Sequence, residues 1–365
     1  MPPLRFSYRN RHIWRLRRRP CQEISLQSSS STKSIFSSYL PLLFYPIHKA
    51  HRYDMFLSFS FVIYIVTFLQ NRIMISKTRM ISEVEMNYLN MMKNRNSCRD
   101  FSDQPIDEEV LQRLLEASVC APSSGGFQNY SIIKVTDSEK KQTLAKLCRK
   151  QGFIGKAPVN LVFCVDLHRE RRIAQSCSVL PNIQYDYESF IMFVMDAAIA
   201  AQTLCMAAEA EGLGSVLIGN IVTNQKQVAE LLNLPKQVLP VIMVSLGHRK
   251  NKGTVSGKYS PSIMVHEETY QERDITELQA AWKEKYADWS IKPNEKLMSR
   301  IGEITKEYFG EDYAAEGARF IREKDWVDPF SFWYGYYYPN HEGLMTPEDH
   351  IKFLEEQEMT GYKKK

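Results

Sequence analysis

Two arginines and a serine between positions 95 and 99, here called the basic stretch, have the chemistry needed to bind a phosphate group. A guanidinium offers forked N–H donors that match phosphate oxygens, and it stays charged at any ordinary pH. Arg95, Ser97 and Arg99 fall within five residues, so they can surround a phosphate monoester. A solvated basic surface would have the same composition, and spacing alone leaves both interpretations open.

A second segment, residues 121–129 with the sequence APSSGGFQN, is here called the small-residue loop. Residues without bulky side chains let the backbone approach a flat ligand closely. Ser123, Ser124 and Gln128 can supply donors to ring or phosphate oxygens. Ordinary turn chemistry also explains Pro, Ser and Gly in such a loop.

In the third segment, residues 212–220 with the sequence GLGSVLIGN, a short apolar run is bounded by glycines. Gly219 at the end of this run can leave backbone N–H groups facing a ring system. Gly212 and Gly214 are interpreted as the end of the preceding helix, where glycine is the preferred residue.

Regular elements must position these segments. Asp107 is a plausible N-cap, and the apolar residues after it recur at helical spacing, which predicts an amphipathic helix ending near residue 122. Short β-type runs come next at residues 131–135, 160–165, 215–218 and 241–246. The order predicts a mixed α and β fold.

Residues 190–214 are apolar on nearly every helical face. Such a helix must be buried on all sides, in a domain core or against a partner chain. Its acidic and amide residues make it a poor bilayer span.

Composition excludes several functions. The chain has 365 residues and a net charge of +5, but the first 53 residues hold ten Lys and Arg against one acid, so no nucleic-acid partner is expected. The seven cysteines are odd in number and form no CxxC pair. We therefore expect no disulfide framework and no metal site, a reducing compartment, and cysteines buried as small apolar residues.

Residues 1–80 differ in composition from the rest of the chain, and three interpretations remain: a presequence, a membrane anchor, or upstream sequence before a start at Met74, Met80 or Met86. The apolar run at residues 55–69 is short of the roughly 18–20 residues that cross a bilayer. We predict an extension outside the fold and a cytoplasmic protein, or an organelle-targeted one if the presequence is real. Residues 81–270 form the predicted domain, and residues 271–365 a helical, aromatic-rich extension.

Taken in order, the three segments resemble the nitroreductase family, in particular the oxygen-insensitive nitroreductases and flavin reductases. The resemblance covers residues 85–270 and rests on RNSCRDFSDQPIDEEVLQRLLEAS, APSSGGFQNYSIIKVTD, KAPVNLVFCVD, EGLGSVLIGNIVTNQKQVAELLNLPKQVLPVIMVSLG and SIMVHEETY. It implies an α+β fold with a central mixed, mainly antiparallel sheet flanked by helices. It also implies an intertwined homodimer that holds FMN at the subunit interface.

The resemblance further implies NADPH or NADH as donor and ping-pong reduction of nitroaromatics, quinones or flavins. The flavin carries the chemistry, so no acid–base residue is assigned. The residues that the resemblance matches to cofactor contacts are Arg95, Ser97 and Arg99 at the phosphate and ribityl chain, Ser123, Ser124, Gly125 and Gln128 beside them, Gln151, the backbone of Ile218 and Gly219 at the isoalloxazine, and Lys258.

The chain departs from the family pattern at three positions. Asn220 replaces a common second glycine, Val222 replaces an arginine, and Ser256 replaces one of two basic residues near Lys258. These departures leave two alternatives open, a flavin-binding member without turnover and a reductase specialised for one metabolite. The extension after residue 270 has no recognised counterpart.

Overall fold

A computed structural model describes residues 88–177, 187–339 and 343–359 of the chain. The interpretations given for residues 1–80, including the apolar run and Cys21, lie outside the described residues. The division of the chain at residues 80 and 270 stays a prediction.

Four β-strands form one sheet in the order β1-β2-β4-β3. They are β1 (Tyr130–Val135), β2 (Val159–Asp166), β3 (Gly214–Ile218) and β4 (Val238–Gly247). All pairings between these strands are antiparallel. Each strand coincides with a run that the sequence predicts and is longer than that run by one to four residues in total. Every residue of the central strand β2 is buried, so both faces of the sheet are covered.

Helices surround this sheet. In chain order they are α1 (Glu108–Val119), α2 (Ser138–Leu147), α3 (Gly152–Lys156), α4 (His168–Ser176), α5 (Tyr187–Ala210), α6 (Gln225–Leu231), α7 (Pro261–Met264), α8 (Ile275–Lys285), α9 (Glu295–Phe309), α10 (Glu311–Lys324), α11 (Pro329–Phe332) and α12 (Pro347–Glu356). Helices α1 and α5 share one core with the sheet, and α2, α3 and α6 contribute to a second. This arrangement confirms the predicted α+β fold.

The N-terminus of α1 is the one that the sequence predicts. The Asp107 carboxylate accepts a hydrogen bond from the Glu109 N–H at 3.1 Å, as expected of an N-cap. Leu111 and Leu114 on the predicted stripe are buried. Their burial packs α1 into the core that α5 and the sheet share.

Helix α5 is buried along one face only. Ile191, Met195 and Ile199, here called the apolar stripe, are 37%, 49% and 42% exposed and recur every fourth residue. The described residues of one chain leave this face uncovered, so of the two predicted alternatives, a domain core and a partner chain, the core accounts for one face of the helix and burial of the other face stays a prediction. The helix is long and apolar enough to cross a membrane. However, Asp196 in its middle is buried and hydrogen-bonded inside the fold, so we assign α5 to the domain core.

The region after residue 270 folds against this domain. Helices α9 and α10 pack around a small core of their own that includes Leu297, Ile301 and Ile321. Helix α12 is tied to the sheet layer, because Phe353 and other residues of its segment share a core with strand β4. Between them, residues Trp333–Tyr337 form a π-helical turn, here called the aromatic turn.

Candidate functional site

A cavity of about 700 Å³ opens where β3 ends. Its lining includes four residues predicted from the sequence: Arg99, Gln151, Ile218 and Gly219. They come from the basic stretch, from the N-cap of α3 and from the end of β3. The volume lies in the range of roughly 300–1,000 Å³ that is typical of small-molecule sites. Groups distant in the sequence therefore meet in one concave site.

The basic stretch is fixed to the edge strand β3. The Cys98 N–H donates to the Ser215 carbonyl at 3.0 Å. Arg249 donates to the Asn96 side-chain oxygen at 2.9 Å and to the Glu209 carboxylate at 2.7 Å. The Arg249 and Glu209 side chains are only 15% and 18% exposed, so this ion pair is largely shielded from water. The basic stretch is thus held by strand β3 through Cys98 and by Arg249 through Asn96.

Donors of the basic stretch remain available to a ligand. Arg95 is half-buried, and its Nη1 is buried without a hydrogen-bond partner among the residues that the structure describes. A buried donor of this kind normally has an acceptor in the functional state. Ser97 and Arg99 are exposed, and of the three predicted residues only Arg99 lines the cavity. The Arg99 guanidinium is therefore the charge that an anionic ligand in this cavity would meet.

An amide network lies beside the cavity. Gln151 Nε2 donates to the Cys148 carbonyl at 2.9 Å and to Asn220 Oδ1 at 3.3 Å. Asn220 Nδ2 donates to Thr223 Oγ1 at 3.4 Å. The Tyr337 hydroxyl donates to the same Asn220 oxygen at 3.1 Å. Residues from the helical layer, the end of β3 and the aromatic turn are therefore linked through Asn220.

Sequence reasoning missed the lining residues Arg149 and His350. Trp333 and Tyr337 also line the cavity, and they belong to the aromatic tail, which the sequence left open as either covering the pocket or docking a partner. Arg149 and Lys150 both have left-handed backbone conformations, with φ of 57° and 58°. Such residues each cost on the order of 1–3 kcal/mol and concentrate at functional sites. The signal available in the sequence was the proximity of Arg149 to Gln151, whereas nothing in the aromatic tail specified where it packs.

The small-residue loop lies elsewhere in the single chain. The Ser124 N–H donates to both oxygens of Asp196 at 3.0 and 3.1 Å, and the Ser124 hydroxyl donates to the same carboxylate at 3.0 Å. Gln128 Nε2 donates to the Val119 carbonyl at 2.7 Å. Neither Ser123, Ser124, Gly125 nor Gln128 lines the cavity. One chain therefore brings two of the three predicted segments together, and the third lies against α5.

Lys258 is also outside the cavity. It is exposed and lies in an irregular segment after β4, as does Ser256. The phosphate contact expected from Lys258 stays a prediction.

The cysteines agree with the prediction in part. Cys98, Cys148, Cys164 and Cys205 are buried, whereas Cys120 and Cys177 are exposed. Burial raises the pKa of the Cys148 thiol to about 12 and also raises the pKa of Cys98 and Cys205. A thiol that stays protonated is a poor nucleophile, so these buried cysteines act as packing residues.

Comparison with known proteins identifies the family. The model described as "Nitroreductase family" matches residues 92–248. The "NADPH-flavin oxidoreductase" of Vibrio harveyi is 34% identical over 217 residues, which are 59% of this chain and 88% of that protein. The chain belongs to the nitroreductase family.

Two further nitroreductase-family relatives agree with this assignment. The "FMN reductase [NAD(P)H]" of Bacillus subtilis (strain 168) is 32% identical over 203 residues, covering 55% of this chain and 82% of that protein. The crystal structure of nitroreductase A from Vibrio parahaemolyticus RIMD 2210633 has 34% identity and a TM-score of 0.52, covering 55% of this chain and 84% of that one. The resemblance inferred from the three segments is thereby confirmed.

The residues of this nitroreductase-family chain fit FMN. Guanidiniums of the basic stretch provide donors for a phosphate, and a Cβ built on Gly219 would meet no atom within 4 Å, so the backbone there is open to a flat ring. Val222, which replaces the family arginine, is 39% exposed and lines the cavity without adding a charge. Of the residues predicted to hold FMN, those that line the cavity within one chain are Arg99, Gln151 and the end of β3.

Proposed function

We propose that this chain is an FMN-dependent oxidoreductase that uses NADPH or NADH to reduce small acceptors, namely nitroaromatics, quinones or flavins. The proposal rests on one observation: Arg99, Gln151 and Gly219, distant in sequence, line a single cavity in a nitroreductase-family chain. The names of its relatives, an NADPH-flavin oxidoreductase and an FMN reductase, support the same cofactor and donors.

Each predicted residue has a physical role in this proposal. Arg95, Ser97 and Arg99 bind the phosphate and ribityl chain through charge-assisted hydrogen bonds. The backbone of Ile218 and Gly219 faces the ring. When bound, FMN supplies the redox chemistry by accepting hydride from the nicotinamide and passing it to an acceptor in the same pocket.

A homodimer explains why the small-residue loop lies away from the cavity. Ser124 is bonded to Asp196, which is adjacent in sequence to Met195 of the apolar stripe. A second copy packed on this stripe would bury it and bring its own loop to the first copy's cavity. Ser123, Ser124, Gly125 and Gln128 then contact cofactor bound by the partner. Lys258 remains a proposed phosphate contact in the same assembly, and a cytoplasmic location also remains a prediction.

The assembly has its own test. Met195→Glu places a charge in the middle of the proposed interface, and a buried unpaired charge opposes association. Sedimentation velocity is expected to show a dimer for the unaltered chain and a monomer for the variant, with weaker FMN binding in the monomer. A monomeric unaltered chain that binds FMN fully would contradict this arrangement.

The function is tested on the purified full chain by visible spectroscopy and by oxidation of NADPH and NADH with a quinone present. We expect a bound flavin spectrum and steady turnover with at least one donor. A colourless chain that takes up no FMN would refute the proposal. Bound FMN without turnover would instead support the redox-inert alternative, and turnover restricted to one acceptor would support the specialised reductase.

A further inference from the structure

The aromatic turn and the residue after it supply part of the cavity wall. Trp333, Tyr337 and Tyr338 all line the cavity beside Gly219 and Asn220. The Tyr338 N–H donates to the Trp333 carbonyl at 2.9 Å, five residues back. This π-type bond places position i+5 over position i, so all three rings are presented on one side of the turn.

Tyr337 is held at three points. Its hydroxyl donates to Asn220 Oδ1 at 3.1 Å, and its carbonyl accepts from Arg149 Nη1 at 2.8 Å. The Arg149 guanidinium also lies over the Tyr337 ring, 4.8 Å from its centroid. Trp333 packs edge-on against the same ring, with centroids 4.9 Å apart. These contacts therefore position the half-buried phenol as part of the cavity wall.

The contact depends on the residue at position 220. Asn220 occupies the position where the family pattern has a glycine. A glycine at position 220 could not accept a side-chain hydrogen bond from Tyr337. The same Asn220 oxygen accepts from Gln151, which lines the cavity where the cofactor is proposed to lie. The departure from the family pattern at position 220 therefore links Tyr337 to Gln151 through one side chain.

We infer that Tyr337, supported by Trp333, is a specificity-determining residue that favours flat one-ring acceptors over acceptors as large as a free flavin. This inference rests on the proposed function. An aromatic wall offers stacked or edge contacts to a flat ring. The cavity of about 700 Å³ must hold both cofactor and acceptor. The Tyr337 ring forms part of its wall and so limits the size of the acceptor that fits.

The experiment compares Tyr337→Ala with Tyr334→Ala in the full chain. Tyr334 is on the same turn and 68% exposed but does not line the cavity, so it is the matched control. The measured quantity is kcat/KM for riboflavin divided by kcat/KM for 1,4-benzoquinone. Tyr337→Ala is expected to raise this ratio at least about tenfold. Riboflavin no longer meets the Tyr337 ring as a barrier, and benzoquinone loses one aromatic contact. Tyr334→Ala is expected to leave the ratio unchanged.

An equilibrium readout accompanies the kinetics. Benzoate, a flat ring that cannot be reduced here, is titrated into the FMN-loaded chain and monitored by the flavin absorbance. We expect Tyr337→Ala to weaken benzoate binding about three- to tenfold, the effect of one aromatic contact. If Tyr337→Ala does not fold, Asn220→Gly takes its place. This substitution removes the oxygen that accepts the hydrogen bond of the Tyr337 hydroxyl, and it is expected to raise the riboflavin-to-benzoquinone ratio of kcat/KM as well.

The outcomes separate this inference from the proposed function. An unaltered chain that neither binds FMN nor turns over would overturn both. FMN binding and turnover with an unchanged acceptor ratio in Tyr337→Ala, or in Asn220→Gly where that variant replaces it, would overturn the inference alone.

Discussion

Arg249→Met tests whether the basic stretch depends on the shielded ion pair behind it. Arg249 bonds both Glu209 and Asn96, and its side chain is 15% exposed. The substitution keeps an unbranched apolar stem but removes the charge. It leaves the Glu209 carboxylate, 18% exposed, without its partner and releases Asn96.

The magnitude depends on this environment. Removing one partner of a fully buried ion pair costs about 3–5 kcal/mol. Water reaches part of this pair, so we expect the free energy of unfolding to fall by about 2–4 kcal/mol. FMN affinity is expected to fall about fivefold, equivalent to the loss of roughly one hydrogen bond that orients the basic stretch.

Urea unfolding of the full chain measures the first quantity, and an absorbance titration with FMN measures the second. The control is Lys292→Met, because the Lys292–Asp325 pair is 71% and 70% exposed. Exposed pairs contribute about 0–1 kcal/mol. Adding Glu209→Met to Arg249→Met is expected to restore most of the stability but not the FMN affinity. A urea midpoint shift for Arg249→Met no larger than that of Lys292→Met would refute the reasoning.

Three further predictions concern single positions. Arg99→Ala is expected to weaken FMN binding about tenfold or more, because a charge-assisted contact is lost. The control, Arg319→Ala on an exposed helix surface, is expected to leave the FMN titration unchanged. Equal FMN affinities of Arg99→Ala and the unaltered chain would place the phosphate elsewhere. Asp196→Asn is expected to lower the free energy of unfolding by about 1.5–3 kcal/mol in urea, because the buried carboxylate accepts from both donors of Ser124; no change would mean that the loop is held by other contacts. Burial raises the pKa of Cys148 from 9.0 to about 12, so the thiol stays protonated as pH rises through 9. We expect iodoacetamide at pH 9 to leave Cys148 unalkylated in the native chain and to alkylate it in urea, as measured by mass spectrometry.

The fold was largely predictable because its elements arise from local pattern. Asp107 ahead of a helical apolar stripe predicted α1, and four β-type runs predicted the four strands. Pairing order was not available from those runs, since alternation fixes which residues face inward but not which strand lies beside another. The exposed stripe of α5 was hidden for a similar reason: an apolar helix has the same composition whether the domain or a partner covers it.

The site was predictable only where residue type and resemblance agreed. Arg99, Gln151 and Gly219 matched family positions and line the cavity. Arg149 and Tyr337 matched nothing, because a contact between residues 188 positions apart leaves no local signal. Cys120 and Cys177 were predicted to be buried and are exposed. The apolar preference of cysteine favours burial in general, but it does not indicate whether the end of a particular helix lies at the surface.

The long sequence separation of the aromatic turn has a consequence for biosynthesis. Gly219 is translated more than a hundred residues before Tyr337. At roughly 5–20 residues per second, the ribosome needs on the order of ten seconds to supply the missing wall. During that interval the nascent chain presents an open pocket, so any flavin or aromatic metabolite captured then would be enclosed only when the last helices dock.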